Sequence, residues 1–294
     1  VKEKKEQKGT LYVVATPIGN LEDMTLRAIR ILKEVSLIAA EDTRRTKTLL
    51  NAYEIKTPLI SLYDQTERSR SRLLISRLEE GRDVAYVSDA GTPGISDPGY
   101  ILVNRAYDAG VRVVPVPGAS AVIAALSIAG LPMDRFVFVG FPPARSSRRR
   151  PLLESLKNET GTLVFYESPR RLPDLLRDVG DVFGNREMVL TRELTKMFED
   201  VRRGPIRDIL ASLEGREVKG EVTLIVAGKD KTAPPSSPED IAPDVLELQK
   251  EPGISIKDMV GRITDRTGLP RRQVYREVLK LLGKSAGNDE GENP

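Results

Sequence analysis

The chain has 294 residues, with 46 Lys plus Arg against 43 Asp plus Glu for a formal balance of +3, and it contains no Cys, no His and no Trp. Those absences exclude disulfide frameworks, thiolate nucleophiles, serine–histidine and cysteine–histidine hydrolases, and histidine-ligated zinc or haem centres. Any general base must be a carboxylate, Lys, Tyr or water, and only an oxygen-ligand cation site stays open.

The length suits two domains of roughly 150 residues each. Residues 1–10 form a charged tail without the apolar stretch of a signal peptide. Short β-rich apolar runs then predict strands at Leu11–Ala15, Leu37–Ala40, Leu59–Ser61, Val84–Val87 and Arg112–Val116, and a second series at Phe136–Val139, Thr162–Tyr166, Met188–Thr191 and Val222–Val226. Helix-period stretches lie between them, which predicts α/β layers. Asp97-Pro98 and Ser168-Pro169 read as helix starts and Gly110 as a stop. The apolar stretch Val113–Pro132 is cut by Pro115, Pro117, Gly118 and Gly130, so it predicts no membrane span, and a cytoplasmic protein is expected.

The halves are expected to divide near Pro117-Gly118, giving two α/β lobes (11–118 and 119–228) with a cleft between them. A Pro- and Ser-rich linker follows at 229–243, then a helical module at 244–285 and an acidic tail at 286–294. In the module Ser255 reads as an N-cap. Ile256, Met259, Val260 and Ile263 repeat at i, i+3, i+4, i+7. A break at Thr267–Pro270 precedes a second helix with Val274, Val278 and Leu281 inward, and the pair reads as helix-turn-helix.

The densest Gly/Pro stretch, Ser88 to Gly99, follows a strand and precedes a helix, where backbone amides can approach a small molecule closely. By itself it is equally an ordinary turn. Neither G-x-G-x-x-G nor G-x-x-x-x-G-K-[ST] is present, so NAD and ATP are poor fits. Ser120, in Pro117–Ala121, opens a helix N-terminus. Charged clusters at strand ends offer Glu41, Asp42, Glu193 and Lys196 as groups able to move a proton, Lys196 only if its pKa is lowered. Basic residues concentrate at Arg145, Arg148, Arg149 and Arg150, and in 252–285, where a local +5 includes Arg272, Arg276 and Lys280 spaced by four. Such patterns suit phosphate contact.

In this order, Leu11–Leu21 (LYVVATPIGNL), Ala40–Arg44 (AEDTR), Ser88–Gly99 (SDAGTPGISDPG), Pro117–Ala121 (PGASA), Phe165–Arg171 (FYESPRR) and Arg192–Lys196 (RELTK) resemble the ribosomal small subunit methyltransferase I family, over about 11–228 and into the helical module. Ala40 stands where that family usually has Cys. The resemblance implies the tetrapyrrole-methylase fold, with S-adenosylmethionine in the cleft. It also implies methylation of a cytidine ribose 2′-oxygen in the decoding region of 16S ribosomal RNA. The cofactor would be lined by Asp89, Ala90, Gly91, Thr92, Ser120, Ala121, Tyr166, Glu167, Leu194 and Thr223, mainly through backbone groups. Lys196, Glu41 and Asp42 are candidate acceptors for the hydroxyl proton. Arg44, Arg45, Arg148, Arg149, Arg150, Arg272, Arg276 and Lys280 would hold RNA phosphates. No metal is expected, since the leaving sulfur already carries a positive charge. The expected partners are ribosomal RNA or the small subunit and a second copy of the chain. A small-molecule or protein methylase of the same fold, and a non-catalytic nucleic-acid-binding regulator, are the alternatives. With only 8 Tyr and 6 Phe and no aromatic platform visible, RNA recognition is expected to rest on shape, phosphates and the 2′-hydroxyl.

Overall fold

The structure is a computed structural model that describes residues 8–230, 241–251, 253–267 and 269–283. The start of the charged tail, the Pro-rich stretch 231–240, Gly268 and the tail after 283 lie outside the described residues. Two compact units are present, Val1–Lys229 and Asp230–Pro294.

The first half of unit 1 is a parallel five-stranded sheet: β1 (Thr10–Val14), β2 (Leu37–Ala40), β3 (Leu59–Ser61), β4 (Val84–Val87) and β5 (Arg112–Val116), in the order β3-β2-β4-β1-β5. β2 and β4 are buried at every position, as interior parallel strands covered on both faces must be. Alternate residues go to opposite sides. Ile38, Ala40, Ala85 and Val87 pack with α1 (Leu26–Glu34) and α2 (Thr43–Ala52). Leu37, Ala39, Val84 and Tyr86 pack with α3 (Asp64–Glu79) and α4 (Tyr100–Asp108). The reason is topological: right-handed crossovers place a helix on one face when the chain moves one way along the sheet and on the other when it returns. Chain leaving β4 therefore goes to the face opposite that taken by chain leaving its neighbours β1 and β2. This opens a crevice over the carboxyl end of β4.

The second half is a mixed sheet. It comprises β6 (Phe136–Gly140), β7 (Thr162–Glu167), β8 (Glu187–Arg192), β9 (Asp200–Pro205) and β10 (Val222–Val226), in the order β6-β7-β10-β8-β9. β6 and β7 are parallel and the other pairs antiparallel. One face carries α6 (Ser146–Leu156), α7 (Leu172–Phe183) and α8 (Ile206–Ser212) over Leu163, Phe165, Leu190 and Leu224. The other carries α5 (Ala121–Ala129) over Val164, Val189 and Ile225, with Tyr166 and Leu194 at its margin.

The observed elements differ from the expected ones in four places. β9 is an additional strand. α4 begins at Tyr100, its N-cap being Gly99 at φ 125°, so Asp97 does not cap it. Ser168-Pro169 opens a turn, closed by Arg171 N–H to Ser168 O at 3.0 Å, and α7 starts only at Leu172. Unit 2 has three helices: α9 (Ala242–Leu248), α10 (Ile256–Thr267) and α11 (Arg271–Leu281) around Val245, Met259, Val260, Ile263, Val274 and Val278. Pro243 sits in the first turn of α9, where a missing N–H costs nothing. The Ser255 hydroxyl caps α10 by accepting from the Asp258 amide at 3.1 Å. Leu281 is exposed and Leu279 is the buried residue instead.

Candidate active site

The crevice is built by the turns that leave β1, β2, β4 and β5. Thr16 and Gly91 pair as an isolated bridge, Thr16 N–H to Gly91 O at 2.9 Å and Gly91 N–H to Thr16 O at 3.0 Å. The Thr16 hydroxyl donates to Ser88 O at 3.3 Å, and the Thr92 hydroxyl donates to Ala119 O at 3.3 Å, joining the Gly-rich loop to the turn before α5. Gly91 has φ +78°, and a Cβ there would lie 3.4 Å from Ile18 and 3.8 Å from Ala119 O. A side chain would be strained and would fill the gap between the turns. Asp89 faces the β2 turn: Oδ1 accepts from the Asp42 amide at 2.9 Å and Oδ2 lies 3.2 Å from the Arg45 guanidinium.

The second lobe closes the other side. Tyr166, Thr223 and Thr191 stand opposite one another across β7, β10 and β8, on the α5 face. The Tyr166 hydroxyl lies within hydrogen-bonding reach of the Val122 amide in the first turn of α5, directly after Ser120 and Ala121. Its pKa is pushed up to about 12, by burial first and then by the Asp97 and Glu221 carboxylates. Tyr166 is a neutral phenol at neutral pH. Glu167, its neighbour on the strand, points to the opposite face. Its Oε1 accepts from the Ser168 amide at 2.7 Å and from Arg171 at 2.6 Å, while the buried Oε2 has no hydrogen-bond partner. The Glu167 side chain holds the Ser168–Arg171 turn, so only its backbone is left to line the cleft.

The 193–199 loop carries Lys196 to the first lobe. Asn20 N–H donates to the Thr195 hydroxyl at 3.1 Å, and the Lys196 stem lies against Gly19, where a Cβ would come within 2.4 Å of Cγ. Lys196 Nζ sits 2.8 Å from Glu193 Oε1 and 3.2 Å from Glu221 Oε2. Burial works to lower its pKa, but the hydrogen bond to Glu193 and the charge of Glu221 outweigh that, and the net shift is upward. The Glu193 carboxyl is held low by the same contact, against the effect of its burial. Lys196 is thus an ammonium at neutral pH, and the geometry does not fit the expected role of proton acceptor. Asp42 is held low by the Arg44 amide and then by the Arg44 side chain. It caps α2.

The expected RNA-contact residues divide sharply. Arg149 is buried, 2.5 Å from Asp178, and donates to Ala144 O at 3.0 Å. It cannot reach a phosphate, which corrects the expectation for that residue. Arg150 is shared between Asp178 and Asp181. Arg44, Arg45 and Arg148 are exposed, as are Arg272, Arg276 and Lys280 on α11. Lys280 is paired with Glu277 at 3.1 Å. Sequence reasoning missed Glu221, which partners Lys196, and Glu67, which anchors the far end of the Gly-rich loop. Neither lies in a recognisable motif.

The donor set at the crevice fits a ligand with ammonium, carboxylate and diol groups. Asp89 and Asp97 supply charge, Thr92, Ser120 and Tyr166 supply hydroxyls, and the Gly91 cradle gives room for close backbone approach. Residues 10–210 match the family model described as Tetrapyrrole (Corrin/Porphyrin) Methylases. Solved structures with the same fold include uroporphyrin-III-C-methyltransferase from Thermus thermophilus, with a TM-score of 0.55, 23% identity, and coverage of 75% of this chain and 94% of that one. Another is the cobalamin biosynthetic enzyme cobalt precorrin-4 methyltransferase, with a TM-score of 0.57, 16% identity, and coverage of 74% and 94%. The fold and site therefore define a methylase whose methyl donor is S-adenosylmethionine.

Among curated relatives, the Pseudomonas aeruginosa protein named ribosomal RNA small subunit methyltransferase I is 45% identical over 94% of this chain and 99% of its own length. The Thermotoga maritima protein of the same name is 47% identical over 222 residues, which are 76% of this chain and all of that protein. The chain belongs to the tetrapyrrole methylase family and, within it, to the ribosomal RNA small subunit methyltransferase I group. Among the described residues no helix is long and apolar enough to cross a membrane.

Proposed function

We propose that the protein transfers a methyl group from S-adenosylmethionine to small-subunit ribosomal RNA, at the ribose 2′-oxygen of a cytidine in the decoding region of the 16S molecule. The observation that carries this reading is the 45% identity, over 94% of the chain, to a relative named for methylation of that RNA. The choice of a cytidine ribose rests on what the resemblance of the motif set Leu11–Lys196 to that family implies.

When bound, the cofactor supplies an electrophilic methyl group on a sulfonium. Asp89 to Thr92, Ser120, Ala121, Leu194, Thr223 and the Tyr166 side chain would hold it. The protein's work is then alignment of the incoming oxygen with that methyl, together with an acceptor for the hydroxyl proton. With Lys196 protonated, Glu41 and Asp42 are the acceptors we propose, and the Lys196 cation would orient the ribose and its flanking phosphate. Arg44, Arg45 and Arg148, with Arg272, Arg276 and Lys280 on α11, would supply phosphate contacts. A homodimer is also proposed, supported by Ile123 and Ile128 exposed on α5. Light scattering tests it.

The deciding experiment supplies labelled S-adenosylmethionine with small-subunit particles and, in parallel, with protein-free ribosomal RNA, then maps the label. Label on one cytidine ribose establishes the reaction. Tight cofactor binding with label on neither substrate rejects it.

A further inference from the structure

The aromatic ring of Phe141 stays largely exposed although it meets Tyr166. β6 carries a bulge: Phe138 pairs with Val164 and Gly140 with Phe165, so Val139 is extra. Gly140 itself has φ +72°, and a Cβ there would lie 3.3 Å from the Ser96 hydroxyl of the Gly-rich loop. Bulges of this kind re-aim the next side chain. Here the re-aimed residue is Phe141, 57% exposed, with its ring centroid 5.4 Å from that of Tyr166 at the cofactor crevice. Tyr166 is steadied from behind by Phe138, edge-on at 5.1 Å.

The backbone after Phe141 is fixed from below. Arg171 donates to Pro142 O at 3.0 Å, and Arg149 donates to Pro143 O at 3.5 Å and Ala144 O at 3.0 Å. Each guanidinium is in turn held by a buried carboxylate, Glu167 or Asp178. So the arginine run has two kinds of member. Arg149 builds the loop from inside, while Arg145 and Arg148 stand exposed, with no ion pair among the described residues. A segment anchored in this way offers one aromatic face at the crevice and, four and seven residues further along the chain, two exposed cations.

We propose that this segment is a nucleotide grip, in which a base of the bound RNA stacks on Phe141 and Arg145 and Arg148 hold the adjoining phosphates. The inference rests on ribosomal RNA being the substrate and assigns the residues that seat it. Aromatic faces bind unpaired bases without regard to sequence, and neighbouring guanidinium groups track the backbone. Sequence alone shows no such platform, because the grip needs only one ring, and its exposure comes from the bulge.

The test uses the full-length protein, protein-free small-subunit ribosomal RNA and the variants Phe141→Ala, Phe141→Leu and Phe141→Tyr. Stacking predicts that the first two weaken RNA binding and raise KM for RNA by about ten- to a hundredfold. Phe141→Tyr restores both, and the Kd for S-adenosylmethionine is unchanged throughout. Arg145→Ala and Arg148→Ala each flatten the salt dependence of RNA binding by about one unit of slope, which the Phe141 variants leave alone. Unchanged RNA binding in Phe141→Ala, or full function in Phe141→Leu, would overturn the stacking role. So would an equal loss of cofactor affinity, which would make the ring part of the cofactor pocket, or a change in oligomeric size, which would make it a subunit contact. Wild-type protein that binds cofactor but not this RNA fails the substrate reading itself, and the grip with it.

Discussion

Glu67, on α3, caps Gly99 at the start of α4: one carboxylate oxygen accepts from the Gly99 and Ile101 amides at 2.9 Å each, and from Leu102 at 3.2 Å. The glutamate is buried, and it does for α4 what a serine or aspartate N-cap does locally. It also fixes the downstream end of the Gly-rich loop, as does the Tyr86 hydroxyl donating to Pro98 O at 2.5 Å.

Glu67→Ala should therefore destabilise the protein by about 2–3 kcal/mol, because three amides lose a charged acceptor in a buried site. Glu67→Gln keeps an acceptor oxygen and should cost less than half of that. Urea midpoints compare the two, and equal losses would show that the hydrogen bonds are not the source of the effect. Cofactor affinity should fall in parallel with stability, since the same contact holds the loop.

Asp178 holds the buried Arg149 together with Ser146 and Arg150. Removing it in Asp178→Ala leaves a buried unpaired cation, at a cost of about 3–5 kcal/mol. The carboxyl's pKa is lowered: burial pushes it up, but the Ser146 hydroxyl and the Arg149 and Arg150 guanidinium groups pull it below 3.8. A depressed folded-state pKa gives stability that is present above the unfolded value and is lost as pH falls through the folded one. The pair's contribution should hold above about pH 5 and fade below the ordinary 3.8. Acid titrations of wild type and Asp178→Ala should converge at low pH.

Lys196 keeps its charge, since its pKa is raised rather than lowered. Lys196→Met retains the stem against Gly19 but loses the cation, and methyl transfer should slow by about ten- to a hundredfold. Lys196→Arg should recover part of the rate. The pH profile of kcat/KM should show no limb assignable to this residue between about pH 7 and about pH 9. An acid limb in that window, with the rate rising as pH passes through it, that disappears in Lys196→Met would restore the proton-acceptor role.

The helical unit beyond Lys229 has its own apolar core, and the Thermotoga maritima relative leaves about a quarter of this chain without counterpart. A chain ending at Lys229 should bind S-adenosylmethionine with unchanged affinity. Its affinity for ribosomal RNA should drop, with a shallower salt dependence. In the full-length protein, Arg272→Ala with Arg276→Ala should reproduce much of that loss in filter-binding or calorimetric titrations.

Much of the layering was legible because β2 and β4 are uninterrupted apolar runs and the helices between strands have a clear period. β9 escaped because Asp200–Pro205 is an edge strand with alternate positions exposed, and charged Arg202 and Arg203 do not read as a strand. The start of α4 was misplaced because its cap is Glu67, 32 residues upstream. Pro243 reads as linker when taken alone, yet it opens α9. Arg149 did leave a signal: it stands four residues before buried Leu153 and seven before half-buried Leu156, on the inward stripe of α6. The motif residues converge on one crevice, but the direction of Glu167 and the charge state of Lys196 depend on partners that only the folded chain brings close.

The Asn20–Thr195 hydrogen bond, the Lys196 stem across Gly19 and the seat of Ser96 beside Gly140 fasten the two α/β lobes at separate points. Jaw-like opening of the lobes would have to break these contacts. The 193–199 loop is then where exchange of donor and spent product is expected to be gated, since Glu193 and Thr195 hold left-handed backbone at φ 53° and 67°, a strain that opening would relieve. Turnover would follow the breathing of a seven-residue latch, and amide hydrogen exchange at Asn20 and Thr195, compared with the multiple-turnover rate, would show whether the two clocks agree.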